Sequence, residues 1–472
     1  MKKKLLALLL ASSMALMNVA PTYGTDIFTD PDNAVNEDII SVSEELDNNG
    51  EFNDTEDEFT SEQTDDDFFS DEKEMPSVQE GDTLVANTGQ GITAGTSTYS
   101  SKSSFGRRKA LSQLQGMGIN SGSYSWNWAN PEYTSYYTDE AGNLHIVAWK
   151  DQTLYDASCN SDLNVTNVTT VKLPLPLWGG FYAAPDGNFY VAVGQKNLNE
   201  DNSITAVRIL KYSCAWKLLG ATDIGGGYTN MFEGIYIPFD AASLRMTQIG
   251  STLIVHTGRE MYGMEGIHHQ SNITFVINIQ DMTLINSDMP YCSHSFNQFI
   301  KIDNGQLVGV DHGDYYPRAF ILQLYTGDYT NGNFISRCQT KRFMTFQSHW
   351  NSNETGASAG GFEISDSAYL LAGNTVSQEN RDIDDLVTRN IFVAAISKDS
   401  KELTTNWITT YKEGETGTST PQFVKIGENE YMLLWTRNGM VNYTRIDGDG
   451  NQTGKIYEMS GDLSDCVPIV VN

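Results

Sequence analysis

One unit recurs from about residue 133 onward. An apolar strand runs into a turn rich in Asp, Gly or Asn, a second apolar strand follows, then a polar excursion, then a third strand. The paired strands read "TSYYTDEAGNLHIVAW", "GGFYAAPDGNFYVAVG", "RMTQIGSTLIVHTG", "SFNQFIKIDNGQLVGVDHG", "GGFEISDSAYLLAGN" and "TPQFVKIGENEYMLLW". Third strands include "ITAVRILKY", "NITFVINI", "AFILQLY", "NIFVAAIS" and "VNYTRID", and an irregular fourth often follows, as in "KLLGATDI" and "NWITTYK". Alternation, β-branched and aromatic residues, and Asp-Gly or Asn-Gly turns are strand and hairpin signals. First strands start near residues 134, 179, 242, 294, 358 and 420, with a seventh start at "SDCVPIVVN" near 464, a mean interval of 55 residues. Four antiparallel strands per repeat at this period predict an all-β chain, a six- or seven-bladed β-propeller over residues 131–472. Either a strand near "SGSYSWNWAN" closes the ring or the last blade is incomplete. A pair of β-sandwiches also fits this strand density, but would not need one repeated unit.

The chain ahead of the ring has a different composition. Residues 1–24 carry Lys2, Lys3 and Lys4 and then the apolar run "LLALLLASSMALMNVA", the pattern of a secretory signal peptide cleaved after Gly24. The run is too short to span a membrane. No cysteine near it offers a lipid anchor. The mature chain is therefore expected to be exported, extracellular and without an integral membrane segment. Residues 25–95 form an acidic segment expected to be disordered. Its Thr25–Thr83 part holds 22 acidic residues and one lysine, and so carries −21 of the chain's −30. Such blocks repel themselves and bury too little to offset chain entropy. The acidity argues against nucleic acid as a partner. Residues 96–130 form an N-terminal extension in which "SFGRRKALSQLQGM" predicts a short helix, with Arg107 and Arg108 on a solvated face. The five cysteines, Cys159, Cys214, Cys292, Cys338 and Cys466, form no C-x-x-C pair, so neither a zinc–thiolate site nor a disulfide framework is expected.

Three of the chain's seven histidines fall in "LIVHTGREMYGMEGIHHQSNITF", residues 253–275. Centring each hairpin on its turn sets Arg245 against His256, His294 against His312, Trp178 against Gly194, Gln422 against Trp435, and Ser135 against Trp149. The beginnings of first strands and the ends of second strands then share one face of the ring. That face collects Trp149, Trp178, Arg245, His256, Arg259, His294, Asp311, His312, Asp314, Trp435 and Arg437. His268 and His269 close a loop on the same side, and His349 and Trp350 precede the fifth blade there. His145 lies inside a strand and reads as structural. Loops on a rigid scaffold are the usual home of binding groups.

Three chemistries suit such a rim. His256, His294, Asp311 and His312 are candidate ligands for a transition metal if their side chains converge. A neutral histidine with Arg259 suits general-base and anion-clamp work, which makes His256, His294, His312 and Arg259 candidate catalytic residues. Flat indole faces ringed by polar groups suit sugar or peptide binding, through Trp149, Trp178, Arg259, His268, His269, Asp314, Trp350, Trp435 and Arg437. Two stretches have a Ca²⁺-like pattern. "DGDGNQTGKIYE" (Asp447–Glu458) lacks the loop's sixth-position glycine, Gln452 standing there, and reads as a hairpin turn; "ENRDIDD" (Glu379–Asp385) reads as a solvated loop. No G-x-S-x-G, Walker loop, dinucleotide fingerprint, Asp-box, Trp-Asp or Kelch repeat is present.

The stretches "HTGREMYGMEGIHHQSNITF", "SHSFNQF", "VDHGDYYPR" and "GGFEISDSAYLLAGN" resemble a group of secreted β-propeller-like proteins of Gram-positive, clostridial-type bacteria to which no reaction is assigned. The resemblance covers residues 130–472 and implies a secreted or cell-surface role. A fainter similarity to arylsulfate sulfotransferase propellers rests on one histidine starting a strand and another ending the next. The expected function is extracellular binding of a glycan or peptide through the His/Trp/Arg-rich rim. The alternatives are an extracellular hydrolase, lyase or group transferase using the rim histidines, and a structural surface protein.

Overall fold

A computed structural model of the chain describes residues 129, 131–132, 134–160, 165–227, 234–240, 242–263, 268, 270–286, 294–313, 317–326, 338–346, 355–378, 386–461, 463 and 467–470. The signal peptide, the acidic segment, the expected helix, and the site residues His269, Asp314, His349 and Trp350 lie outside the described residues.

All regular structure in the described part is strand, arranged as the six blades of a β-propeller. The first blade is β1 (Thr134–Thr138), β2 (Leu144–Lys150), β3 (Thr153–Cys159) and β4 (Val165–Lys172). The second is β5 (Leu177–Ala183), β6 (Asn188–Gly194), β7 (Thr205–Ser213) and β8 (Leu218–Gly225). The third holds β9 (Gly234–Pro238), β10 (Leu244–Ile249), β11 (Thr252–Tyr262), β12 (Gln270–Asn278) and β13 (Thr283–Asn286). The fourth is β14 (Asn297–Asp303), β15 (Gln306–Gly313), β16 (Ala319–Tyr325) and β17 (Cys338–Thr345). The fifth is β18 (Ala357–Ile364), β19 (Ala368–Thr375), β20 (Asn390–Ser397) and β21 (Leu403–Trp407). The sixth is β22 (Gln422–Gly427), β23 (Glu430–Arg437), β24 (Met440–Asp447) and β25 (Tyr457–Ser460). Each blade pairs its strands antiparallel in chain order, and β9 adds a fifth strand against the far end of β11. The seventh start expected at residue 464 forms no strand among the described residues 467–470.

The core lies in the seams between blades. One apolar cluster joins the second and third blades through Tyr190, Phe239, Leu253 and Phe275; another joins the fourth and fifth through Phe320, Leu322, Leu371 and Phe392. Both faces of a blade are therefore covered, and the middle strands are buried at almost every position: β16 and β19 are buried throughout. Such strands read as continuous apolar runs rather than alternating ones. Ile469 packs on the first blade's cluster and Val470 on the sixth's. The C-terminal segment thus contributes to both faces that must meet to close the ring.

The strand that opens each four-stranded meander is its inner edge, β10 rather than β9 in the third blade. β5 neighbours β10, β10 neighbours β14, β14 neighbours β18, and β18 neighbours β22. The blades are crowded there, and the two "GG" pairs answer that crowding. The β18–β19 ladder shifts register at Gly360, where a Cβ would overlap the Pro421 carbonyl oxygen of the next blade. Gly179 stands at the matching bulge in β5, where a Cβ would come within 2.8 Å of the Phe239 ring. A bulge that lets another backbone approach closely is a recurrent use of glycine in a strand.

Candidate functional site

The histidine-rich stretch is mostly strand. β11 runs through Tyr262, its outer half covered by β12 on one side and β9 on the other, so Arg259 faces Pro238 and Ser271 in the ladders instead of standing in a loop. This corrects the reading that ends the second strand at Gly258: the strand continues through Tyr262, and the third begins at Gln270. The polar letters that suggested a loop are satisfied internally. Arg259 donates from Nη1 to Ser271 Oγ at 2.7 Å and to the Asn272 carbonyl at 2.5 Å.

Arg245 does oppose His256, as the turn arithmetic predicts. The fourth blade differs. Its turn is Asn304–Gly305, with φ of 48° and 83° as a type I′ hairpin needs, so His312 opposes Asn297, not His294. His294 precedes the strand, with φ of 55° and its amide donating to the Gln270 carbonyl. Smaller slips move Trp178 to Val193, Ser135 to Val147 and Gln422 to Leu434.

His256 anchors a sealed polar network across the seam between the third and fourth blades. Its Nε2 lies 2.8 Å from Asp311 Oδ1 and its Nδ1 lies 2.8 Å from Thr274 Oγ1. Asp311 also accepts from Asn272 Nδ2 at 2.8 Å and from Gln323 Nε2 at 3.3 Å, and Tyr325 donates to Gln323 Oε1 at 2.6 Å. His256 is 1% exposed and Asp311 0%. A carboxylate in that position accepts, so the imidazole donates from Nε2 and can take the Thr274 hydroxyl proton at Nδ1. Buried polar groups are costly unless partnered, and here the partners come from both blades.

His312 lies in a different packet. Phe296, Phe320 and Phe346 surround it, the Phe320 ring 4.7 Å from its centroid, and its Nε2 contacts Thr355 Oγ1 at 3.0 Å. Burial, helped by the charges of Arg389 and Arg318, holds its pKa down to about 3. It is therefore neutral over the physiological range. Among the described residues no three His, Cys, Asp or Glu side chains stand close enough to hold a metal ion. His256, His294, Asp311 and His312 are thus not brought together as ligands. The Asp447 stretch is a hairpin turn in which Asp447 Oδ1 accepts from the amides of Asp449 and Asn451.

Three of the four rim tryptophans are likewise interior, the fourth, Trp350, lying outside the described residues. Trp149, Trp178 and Trp435 are at most 4% exposed, which corrects the expectation that they offer flat faces to a ligand. Trp149 stacks on Trp178 across the first seam, and Trp435 donates to Tyr411 OH at 3.1 Å. Arg437 lies 3.8 Å from the Tyr411 ring centroid and pairs with Glu415 at 3.3 Å. His268 remains part exposed, stacked on Tyr236 at 3.8 Å and 2.9 Å from Glu200 Oε1. His145 is internal: its Nδ1 lies 2.8 Å from Asp156 Oδ1, and Asp156 also takes hydrogen bonds from Tyr137 and from Trp216 of the second blade.

One accessible pocket lies among the inner strands, toward the axis. A cavity of about 440 Å³ is walled by Ser135 of β1, Gly180–Tyr182 of β5, Leu244–Thr247 of β10 and Ile300–Ile302 of β14, with Glu132 and Val467 from the chain segments outside the blades. Its charged groups are Arg245, Lys301 and Glu132. Arg245 Nη1 pairs with Glu132 Oε1, and Lys301 Nζ lies 2.7 Å from Glu363 Oε2 of β18. Because β1, β5, β10 and β14 are edge strands, they also present backbone donors and acceptors that no neighbouring strand takes. Sequence reasoning placed Arg245 on the rim with the histidines rather than on the axis, and passed over Lys301 and Glu132. The signal was a cation within each of two first strands, "LRMTQI" and "NQFIKID".

No family model matches the chain, and no curated protein is similar to it. Among solved structures, the chain is similar to a putative 6-phosphogluconolactonase from Bacteroides fragilis at 11% identity and a TM-score of 0.41, over 71% of this chain and 86% of that one. It is also similar to a polysaccharide lyase, PL25 ulvan lyase, at 8% identity and a TM-score of 0.42, over 69% and 84%. The parainfluenza virus 5 hemagglutinin-neuraminidase ectodomain follows at 8% identity and a TM-score of 0.38, over 70% and 82%. Likenesses at these scores assign no activity to this chain.

Proposed function

We propose that this chain is exported and works outside the cell as a binding module, taking a glycan or peptide at the axis of its propeller. The observation that carries the reading is the contrast between two sets of polar groups. Of His256, His294, His312 and Arg259, which an extracellular hydrolase, lyase or transferase on the rim would use, His256, His312 and Arg259 are at most 2% exposed and His294 is part exposed. Lys301 and Arg245 stand instead on the wall of the axial cavity, their side chains 40% and 19% exposed. A catalytic base must reach its proton, whereas a binding site needs a concave surface with a few placed polar groups. The volume falls within the range of roughly 300–1,000 Å³ common for small-ligand sites. The acidic segment ahead of the ring serves as a spacer. Among the described residues no helix is long and apolar enough to cross a membrane.

Two experiments test this. Glycan and peptide arrays probed with the chain from Thr25 onward should give hits that a Lys301→Gln change weakens. A blank result on both arrays would favour a structural surface protein. Expression in a Gram-positive host should release a protein whose mass places the new N-terminus after Gly24; retention of residues 1–24 in the cytoplasm would refute export.

A further inference from the structure

Glu132 belongs to no blade. It stands in the segment that leads into β1, yet its carboxylate pairs with Arg245 of the third blade, and its carbonyl accepts from Trp178 Nε1 of the second at 2.7 Å. That places one acidic side chain, from outside the blades, on the wall of the axial cavity. Arg245 has a second support. Its guanidinium lies 5.1 Å from the centroid of the Phe299 ring, so it keeps a cation–π contact if the carboxylate leaves. Lys301 lines the same cavity from β14, and its acidic partner Glu363 is fixed in β18. Of the two acids, Glu132 is the one attached to a segment without strand pairing.

We propose that Glu132 is an internal stand-in for a ligand carboxylate, and that the axial cavity takes an acidic oligosaccharide carrying uronate sugars, whose carboxylate replaces Glu132 on Arg245. The inference rests on the reading of the axis as the binding site. The exchange is balanced: one carboxylate leaves the guanidinium for water as another arrives, so the arginine is never left without an anion. Arginine's planar fork is suited to such carboxylate recognition. The exchange itself adds little affinity. The gain comes from the sugar rings, whose hydroxyls meet the unpaired backbone groups of the inner strands and whose ring faces meet Phe181, Tyr182 and Leu244. A compact sugar suits this place better than a peptide. An extended peptide recognises a strand edge along an open groove, and here the wall is made of short stretches of four inner strands.

The test is calorimetric titration of the chain from Thr25 onward with trimers of galacturonate, glucuronate and mannuronate. Neutral glucose and galactose trimers and tri-glutamate serve as comparisons. Glu132→Gln keeps the backbone carbonyl on Trp178 and removes the competing charge. It should bind at least one uronate trimer about tenfold more tightly than the parent, the gain expected if the closed pair is about nine-tenths populated. Arg245→Gln should abolish that binding, and Lys301→Gln, a change at a half-exposed position, should weaken it without loss of folding. Uronate binding that Glu132→Gln leaves unchanged would overturn the stand-in. Neutral trimers or tri-glutamate binding as well as the uronates would overturn the acidic-sugar class while keeping an axial binding site. No titration by any of the six compounds, with blank arrays, would bring down both readings.

Discussion

Removing the Asp311 carboxylate should be among the most damaging single changes in the ring. Three donors converge on it, His256 Nε2, Asn272 Nδ2 and Gln323 Nε2, from both sides of a seam with no solvent exposure. Asp311→Ala leaves all three without an acceptor, each at about 1–3 kcal/mol, less the gain from no longer burying a carboxylate. The net expectation is about 3–5 kcal/mol, the usual cost of breaking a buried pair. Asp311→Asn should cost only about 1–2 kcal/mol. Its oxygen still accepts from Asn272, and its amide can donate to His256 once the imidazole moves its proton to Nδ1 and donates to Thr274. Guanidinium unfolding, followed by tryptophan fluorescence and far-UV circular dichroism, reads both changes as midpoint shifts at a common slope. Coincident transitions would license the two-state treatment. A loss below about 1 kcal/mol for Asp311→Ala would refute the seam network as structural glue. Equal losses for Asn and Ala would show that the pair needs a full negative charge, and hence that the imidazole assignment is wrong.

Other consequences follow from the same geometry. His312 is held neutral down to about pH 3, while an unfolded histidine protonates near 6.5. The unfolded state thus takes up the proton first, and stability falls as pH drops below about 6.5. That group should cost the fold about 2 kcal/mol between pH 7.5 and pH 5. His312→Leu should remove that part of the acid sensitivity in unfolding midpoints measured at the two pH values; an unchanged slope would count against it. Gly360→Ala should lower stability by about 1–3 kcal/mol, because its methyl meets the Pro421 carbonyl. Gly427→Ala, whose Cβ has nothing nearer than 3.3 Å, should cost less by thermal melting. Ile469→Asp should cost about 2 kcal/mol and speed proteolysis, because it removes an apolar side chain from the first blade's cluster. Parent-like protease resistance would argue that the ring closes without it.

The repeat was legible because hairpin chemistry is local. The first strands begin at residues 134, 177, 244, 297, 357 and 422, each within three residues of the position expected from alternation and turns. The count of six was not legible, since "SDCVPIVVN" has strand composition but its described residues contribute Ile469 and Val470 as packing groups. The site was misread for a physical reason. In a propeller each sheet is covered on both faces, so a tryptophan or histidine at a strand end faces the next blade, not water. Trp435 and His256 show this. Bulges at Gly179 and Gly360 and the β9 insertion, which pairs with the strand's continuation past "HTG" through "REMY", have no counterpart in a period of 55 residues. The axial role of Arg245 and Lys301 was not legible because each looks like an ordinary outward residue of an alternating strand.

The central claim is that the histidine-rich stretch holds blades together while ligand binding belongs to the axis. His256→Gln and Arg245→Gln separate the two. A glutamine amide can take the place of Nε2 as donor to Asp311, so the first change preserves the seam hydrogen bond and removes only the imidazole. Both proteins, from Thr25 onward, would be probed beside the parent on one glycan and peptide array. The account predicts that His256→Gln keeps the parent's hits and Arg245→Gln loses them. Hits lost with His256→Gln and kept with Arg245→Gln would contradict it and return the function to the histidines.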